Sequence, residues 1–197
     1  MERNELNRIL QLEKNIYAEY MFPSFKRKFL AWAKGEPAML IWKWQRLSRI
    51  VDYYHLRLKE CKSSFVDKIM YFFYVCRFHR MSVFLGIEMC TENIGAGLQI
   101  YHYSGGVVVN GDAIIGKNCR FHGNNCVGNG GLGKLSCPVI GDDVVFGVGA
   151  KVIGGVRVAT GVKIAAGAVV IHDILEEGCT VAGVPAKIVK HRNDSYA

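Results

Sequence analysis

A bulky apolar residue recurs at every sixth position between Val109 and Leu175, and this regularity restricts what the chain can fold into more than any other feature. The positions are Val109, Ile115, Phe121 and Val127, then, after one interruption, Ile140, Phe146, Val152, Val158, Ile164 and Val170. The next residue is small or compact in most cases (Asn110, Gly116, Gly128, Gly141, Gly147, Ala159, Ala165), and the position four later is again often small (Ala113, Cys119, Gly131, Ala150, Ala168). A helix wants apolar spacings of three and four, and a half-buried strand wants alternation, so a period of six fits neither. A coiled solenoid fits: each hexad supplies one short flat strand and one corner, and three hexads close a triangular turn with the apolar residue pointing inward from every face. Residues about 18 apart then stack at the ~4.8 Å strand spacing, and the inward Val, Ile and Phe become one continuous core.

The period breaks twice. From Ile100 to Val109 the spacing is nine instead of six, which predicts a bulge just after His102. Val127 and Ile140 are thirteen apart, and the intervening Gly128-Asn129-Gly130-Gly131-Leu132-Gly133-Lys134-Leu135-Ser136-Cys137-Pro138 reads as one strand skipped into a projecting loop. A solenoid tolerates such a loop because the coils on either side still stack, and insertions on one face often mark the working face.

Ahead of the repeats the pattern is helical. Leu6, Ile9, Leu10, Leu12 and Ile16 lie on one face of a helix over Glu5 to Tyr20, which Phe22-Pro23-Ser24 ends. A second helix is expected from Phe25 to Ala33, and a third from Pro37, whose ring suits a first turn, to Leu58. Ser63, Ser64 and Asp67 form a capping start for a fourth, with Ile69, Phe72, Phe73 and Cys76 expected on its buried side as core packing.

Charge divides in the same place. Residues 1–86 hold 16 Lys and Arg against 8 Asp and Glu, while residues 87–197 hold 9 against 9, so the net charge of +8 belongs wholly to the first part. Such an excess attracts anionic surfaces, but no nucleic-acid motif accompanies it; a solvated helix face is the plain reading, and weak contact with an anionic membrane or glycan the functional one. Met1 to Glu19 is too polar for a secretory leader, and the longest apolar run, Ile69 to Cys76, is far short of the ~20 residues of a membrane span. Seven scattered cysteines without a C-x-x-C pair fit reduced thiols. Together these predict a cytoplasmic protein. Cys119, His122 and Cys126 have a spacing that could pass for metal ligands, but no fourth ligand is evident and no metal is expected.

The hexads, with the ending Ala182-Gly183-Val184-Pro185-Ala186-Lys187-Ile188-Val189, resemble the left-handed parallel β-helix of the hexapeptide-repeat acyltransferases, particularly serine O-acetyltransferase and its relatives that acetylate sugars of surface polysaccharides. The resemblance runs from about Gly86 to Val189 and supplies the left hand, which spacing does not reveal. It implies an α+β chain: a helical N-terminal domain over 1–85, a left-handed β-helix over 86–189 and a short tail over 190–197. Helices also precede the β-helix in serine acetyltransferase-like chains.

The resemblance also implies a site. The run Ile100-Tyr101-His102-Tyr103-Ser104-Gly105-Gly106 is similar to the family's catalytic segment, which makes His102 the general base. A neutral imidazole can take the proton of a hydroxyl as it attacks a thioester. Glu88 occupies the place of the carboxylate that orients the histidine, one residue nearer than the family spacing. His122 is the second choice for the base. Acetyl-CoA, held in a groove between neighbouring β-helices, implies a homotrimer and places Gly130, Gly147, Ala165 and Ala166 along the groove and Lys187 near a phosphate. Two departures bear on the acceptor: Cys137 stands where the serine enzymes carry a second histidine, and Tyr101 where they carry an aspartate. Tyr101, Tyr103 and Cys137 are therefore the expected acceptor-side residues, with the tyrosines suited to stacking on a sugar ring. The expected activity is direct acetyl transfer from acetyl-CoA to a sugar hydroxyl of a surface polysaccharide or its precursor. The alternatives are serine O-acetyltransferase and a non-catalytic trimeric scaffold.

Overall fold

All ten hexad residues are buried, from Val109 through Val170. The computed structural model describes residues 2–60, 63–102, 105–131 and 136–192, and the chain forms two compact units, Met1–Leu85 and Gly86–Ala197.

The second unit is a three-faced coil of short strands. Face I holds β1 (Ile87–Glu88), β3 (Val107–Val109), β6 (Asn125–Gly128), β9 (Lys151–Ile153) and β12 (Val169–Val170). Face II holds β4 (Ile114–Ile115), β7 (Val139–Ile140) and β10 (Arg157–Val158), extended by single bridges at Ile94 and Ile174. Face III holds β2 (Gln99–Ile100), β5 (Arg120–Phe121), β8 (Val145–Phe146), β11 (Lys163–Ile164) and β13 (Thr180–Ala182), and β14 (Lys187–Lys190) closes it as the antiparallel member. Every other pairing is parallel and joins one coil to the next, as with Ile100 opposite Phe121 and Phe121 opposite Phe146.

Each strand presents its hexad residue to the axis and its neighbour to the outside. The largest inward pair, Phe121 and Phe146, stacks with ring centroids 4.4 Å apart and planes 7° from parallel. The residue two before each hexad position points inward as well, so Ala113, Cys119, Val144, Ala150, Val156, Val162 and Ala168 form a second buried column. Asn125 is the polar member of that column. Its Nδ2 donates to the carbonyls of Gly147 (2.7 Å) and Ala150 (3.3 Å), and its Oδ1 accepts from the Gly123 N–H (2.9 Å), so the burial carries no unpaired polar group.

Glycine follows the hexad residue where coils approach too closely for a side chain. A Cβ on Gly141 would lie 2.7 Å from the Thr160 nitrogen, and one on Gly147 would lie 2.6 Å from the Ala166 nitrogen. The loop between β6 and β7 differs from the expected skipped strand. These two strands occupy consecutive faces, as β3 and β4 do one coil earlier, so the extra residues are a pure insertion at the I–II corner and no face is missed.

The first unit comprises α1 (Arg3–Tyr20), α2 (Phe25–Ala33), α3 (Pro37–Lys59) and α4 (Phe65–Leu85). Ser24 caps α2 through its hydroxyl, which accepts from the Arg27 N–H (3.2 Å), and Pro37 opens α3. Ser64 and Asp67 exchange side-chain and backbone bonds at the start of α4. The unit's centre is α3, where Trp44 and Ile41 are fully buried. Arg49 on α3 bonds the carboxylate of Glu13 on α1 at 2.8 Å, and both side chains are buried.

Helix α4 corrects an expectation. It packs on α3 through Tyr71, Tyr74, Phe78 and Ser82: Tyr74 stacks on Tyr54, Phe78 lies against Trp44, and the Trp44 indole donates to the Ser82 hydroxyl at 2.7 Å. The Ile69, Phe72 and Phe73 stripe faces away, and Phe72 is 69% exposed. Both faces of α4 are apolar, so periodicity could not choose between them; the aromatic shape match to Tyr54, His55 and Trp44 chose. Among the described residues no helix is long and apolar enough to cross a membrane.

If the stacked column carries the coil, Phe121→Ala removes about 3–5 kcal/mol of unfolding free energy. Denaturant titration of the full chain measures it, and Val108→Ala on the outer surface serves as the near-neutral control.

Candidate active site

The corner from face III to face I carries the chemistry-bearing residues. On successive coils Tyr101, His122, Gly147 and Ala165 occupy the same place in it. Tyr101 N donates to Phe121 O, His122 N to Phe146 O, Gly147 N to Ile164 O, and Ala165 N to Val181 O. Side chains thus dominate this column in its first two coils and nearly vanish below.

His102 follows Tyr101 at the first of these corners and is exposed. The corner there is longer than in later coils, since Ile100 to Val109 spans nine residues where Phe121 to Val127 spans six. The extension ends in Gly105 and Gly106, whose φ angles of 80° and 77° suit glycine. Tyr103 and Ser104 fall outside the described residues, and with them the expected acceptor role of Tyr103.

His122 has a more constrained setting than the sequence indicates. Its ring lies flat on Tyr101, with centroids 4.9 Å apart and planes 8° from parallel. Its Nδ1 is 3.0 Å from the Phe146 carbonyl oxygen. A carbonyl only accepts, so in the neutral ring Nδ1 carries the proton and Nε2 keeps its lone pair. The Tyr101 hydroxyl in turn donates to Gln99 Oε1 at 2.8 Å, which fixes the ring that covers His122. The signal in the sequence was the coil repeat itself: Tyr101 and His122 follow the inward Ile100 and Phe121, which pair across one coil.

Glu88 lies on the outer side of β1, exposed, in register with Val108, Cys126 and Lys151 on face I. Among the described residues no hydrogen bond or ion pair joins it to His102. Gly147, Ala165 and Ala166 fall together at the III–I corner, where the close approach of coils accounts for the glycine. Gly130 does not join them: its N–H bonds Ser136 O at 3.1 Å in the loop at the I–II corner. Cys137 also belongs to that loop's base, buried, with its thiol 3.5 Å from Asn110 Oδ1. Lys187 starts β14 and is exposed. Within one chain, then, the His102 corner and the Gly130 and Cys137 corner lie at opposite edges of face I.

No metal cluster forms from Cys119, His122 and Cys126: among the described residues no three His, Cys, Asp or Glu side chains converge as ligands. Cys119 faces the interior, and its thiol sits 3.4 Å from the Gly141 carbonyl. Burial pushes its pKa from an ordinary 9.0 up to about 12, which keeps the thiol protonated near neutral pH.

No protein-family model matches the chain. Serine acetyltransferase of Synechococcus elongatus is 36% identical over 115 residues, covering 56% of this chain and 46% of that protein. The Helicobacter pylori serine acetyltransferase is 41% identical over 106 residues, covering 53% of this chain and 61% of its own. The chain spans about half the length of the curated relatives it matches. Crystal structures of the Neisseria gonorrhoeae serine acetyltransferase (TM-score 0.73, 23% identical, 98% of this chain and 69% of that one) and the soybean apoenzyme (TM-score 0.64, 25% identical, 93% and 69%) superpose over nearly the whole chain. The chain shares the architecture of these structures, a helical segment followed by a left-handed β-helix. In sequence the chain is similar to serine acetyltransferases, and that likeness extends over about half its length.

Two outcomes check the site. In nitrogen-15 spectra at alkaline pH, His122 shows a protonated Nδ1 and an unprotonated Nε2, whereas the reverse tautomer contradicts the Phe146 bond. The raised pKa of Cys119 means that its protonated form favours the folded state; this contribution is complete below about pH 9 and is lost as pH rises toward 12. Unfolding free energy therefore declines over that window, less steeply in Cys119→Ala.

Proposed function

We propose that the chain is an acetyl-CoA-dependent O-acetyltransferase that moves the acetyl group directly to an acceptor hydroxyl with His102 as general base. The observation that carries this is the exposed His102 at the elongated corner of the β-helix, in a chain 36% and 41% identical over 115 and 106 residues to two serine acetyltransferases. His102 takes the hydroxyl proton as the oxygen attacks the thioester carbonyl. The tetrahedral oxyanion then collapses, the C–S bond breaks, and the imidazolium returns its proton to the leaving thiolate. Glu88 is proposed to orient His102, as a carboxylate does for a catalytic imidazole.

The cofactor reading follows the column below His122. Ala165 and Ala166 project no more than a methyl group there, which leaves the corner backbone within reach of a pantetheine arm, and Gly147 adds nothing beyond Cα. Gly130 lies away from this corner, whereas Lys187 pairs with Ala182, which follows Val181 as Ala165 follows Ile164 and so continues the column. A site that combines the His102 corner with Gly130 and Cys137 needs a second copy, since one chain holds them at opposite edges of face I. A threefold ring, which brings one edge of each copy against the other edge of the next, supplies three such clefts.

For the acceptor, the relatives favour serine, and serine O-acetylation is the leading reading ahead of the sugar expected from the residue departures. The second reading keeps a sugar hydroxyl, because Cys137 and Tyr101 replace the histidine and aspartate suited to an amino acid. Tyr101, stacked on His122 beside the His102 corner, is the aromatic ring that this reading sets against a sugar.

Release of free CoA by the purified full chain, measured against serine and against a panel of sugars, tests both. Turnover with serine is expected, falling about 10²- to 10⁴-fold in His102→Ala. Turnover with a sugar alone selects the second reading. No CoA release with any acceptor leaves a non-catalytic scaffold, and the same rate in His102→Ala removes His102 as the base and turns the test to His122.

A further inference from the structure

The helical unit carries a surface that acetyl transfer does not use. On α2, Phe25 is 85% exposed, Trp32 57% and Phe29 53%, and they share one side of the helix at spacings of four and three. Phe29 and Trp32 pack on each other at 5.9 Å between centroids, so the group holds its shape without a cover. Below it, between α2 and the start of α3, lies a cleft of about 260 Å³ lined by Phe25, Phe29, Trp32, Met39 and Trp42, with Lys28 and Lys43 at its rim. The Lys28 ammonium stands 4.6 Å from the centre of the Trp42 ring. Lys26 is exposed on the same short helix. Arg27 is turned to Glu36 at 2.6 Å.

Three large apolar side chains left in water on nine residues of helix need a partner, and the rim states its charge. Residues 1–86, which include this face, carry an excess of eight positive charges. Aromatic side chains flanked by lysines form the pattern of a helix lying in the headgroup layer, with rings at the acyl boundary and ammonium groups on phosphates. A second copy fits poorly, because it would set Lys26, Lys28 and Lys43 against their own kind. A soluble acidic glycan would satisfy the lysines and leave Phe25, Phe29 and Trp32 in water. Helix α4 repeats the chemistry, with Phe65, Ile69 and Phe72 exposed beside Lys68 and Arg80.

We propose that the helical unit binds the surface of an anionic lipid bilayer through Phe25, Phe29, Trp32 and the lysine-rimmed cleft beneath them. The unit lies on the membrane and does not span it. This inference stands apart from the acetyl-transfer reading, since it uses no residue of the β-helix.

The experiment is flotation of the full chain with vesicles of phosphatidylcholine, with or without phosphatidylglycerol, read beside Trp fluorescence. Binding is expected to be about tenfold stronger on the phosphatidylglycerol vesicles, to weaken in high salt, and to shift Trp emission to the blue. Phe25→Ser with Phe29→Ser is expected to abolish it, and Lys26→Glu with Lys43→Glu to remove the preference for anionic lipid. Circular dichroism and CoA release in solution stay at parent levels in both. Absence of vesicle binding by the parent overturns the proposal. So does binding that survives the aromatic substitutions in variants of parent-like dichroism, binding to a soluble acidic polysaccharide without vesicle binding, or self-association that the aromatic substitutions abolish with no lipid dependence.

Discussion

Stacking of one coil's inward side chain on the next is the interaction everything in the β-helical unit depends on. Phe121 on Phe146 is its densest point, and Ile100, Phe121, Phe146 and Ile164 continue it along face III. Parallel strands of two to four residues have too few ladder bonds to persist alone, so the buried column holds them in register. Register then decides which outward residues share a corner. Tyr101 meets His122 because Ile100 meets Phe121.

That coupling makes the corner both a scaffold and a place for chemistry. Where coils lie closest, a side chain beyond Cα is excluded, as at Gly141 and Gly147. Where the chain adds residues, as after His102 and again between β6 and β7, the strands on either side still stack coil on coil. The two insertions fall at opposite edges of face I, so a site built from both belongs to an assembly. His122 lies between these regimes: its backbone N–H is held by the coil ladder, while its ring is held by a carbonyl of the next coil and a tyrosine of the previous one.

The helical unit follows another logic. Its order comes from one central helix, α3, whose buried Arg49 and Glu13 pair ties it to α1 and whose aromatic residues grip α4. A buried ion pair contributes little net stability, but breaking it strands a charge, so it acts more as a registration device between α1 and α3. The apolar surface of α2 and α4 exceeds what this small core can cover, and the excess faces outward.

The hexad spacing by itself determined the coil, its inward residues and the places where it is interrupted, because a sixfold apolar period has one economical way to bury itself. The helix starts at Pro37 and Ser64 were also legible, since capping is a local matter of a few residues. Reading His102 needed likeness to a family, as a single histidine in a glycine-rich corner has no distinctive spacing. Tertiary structure alone decided the rest. The locked ring of His122 depends on a carbonyl a full coil away, the loop proved an insertion only once strand partners were known, and α4 chose its buried face by the shape of α3. Each of these is a choice among partners distant in sequence, and local pattern carries no information about which distant surface fits better.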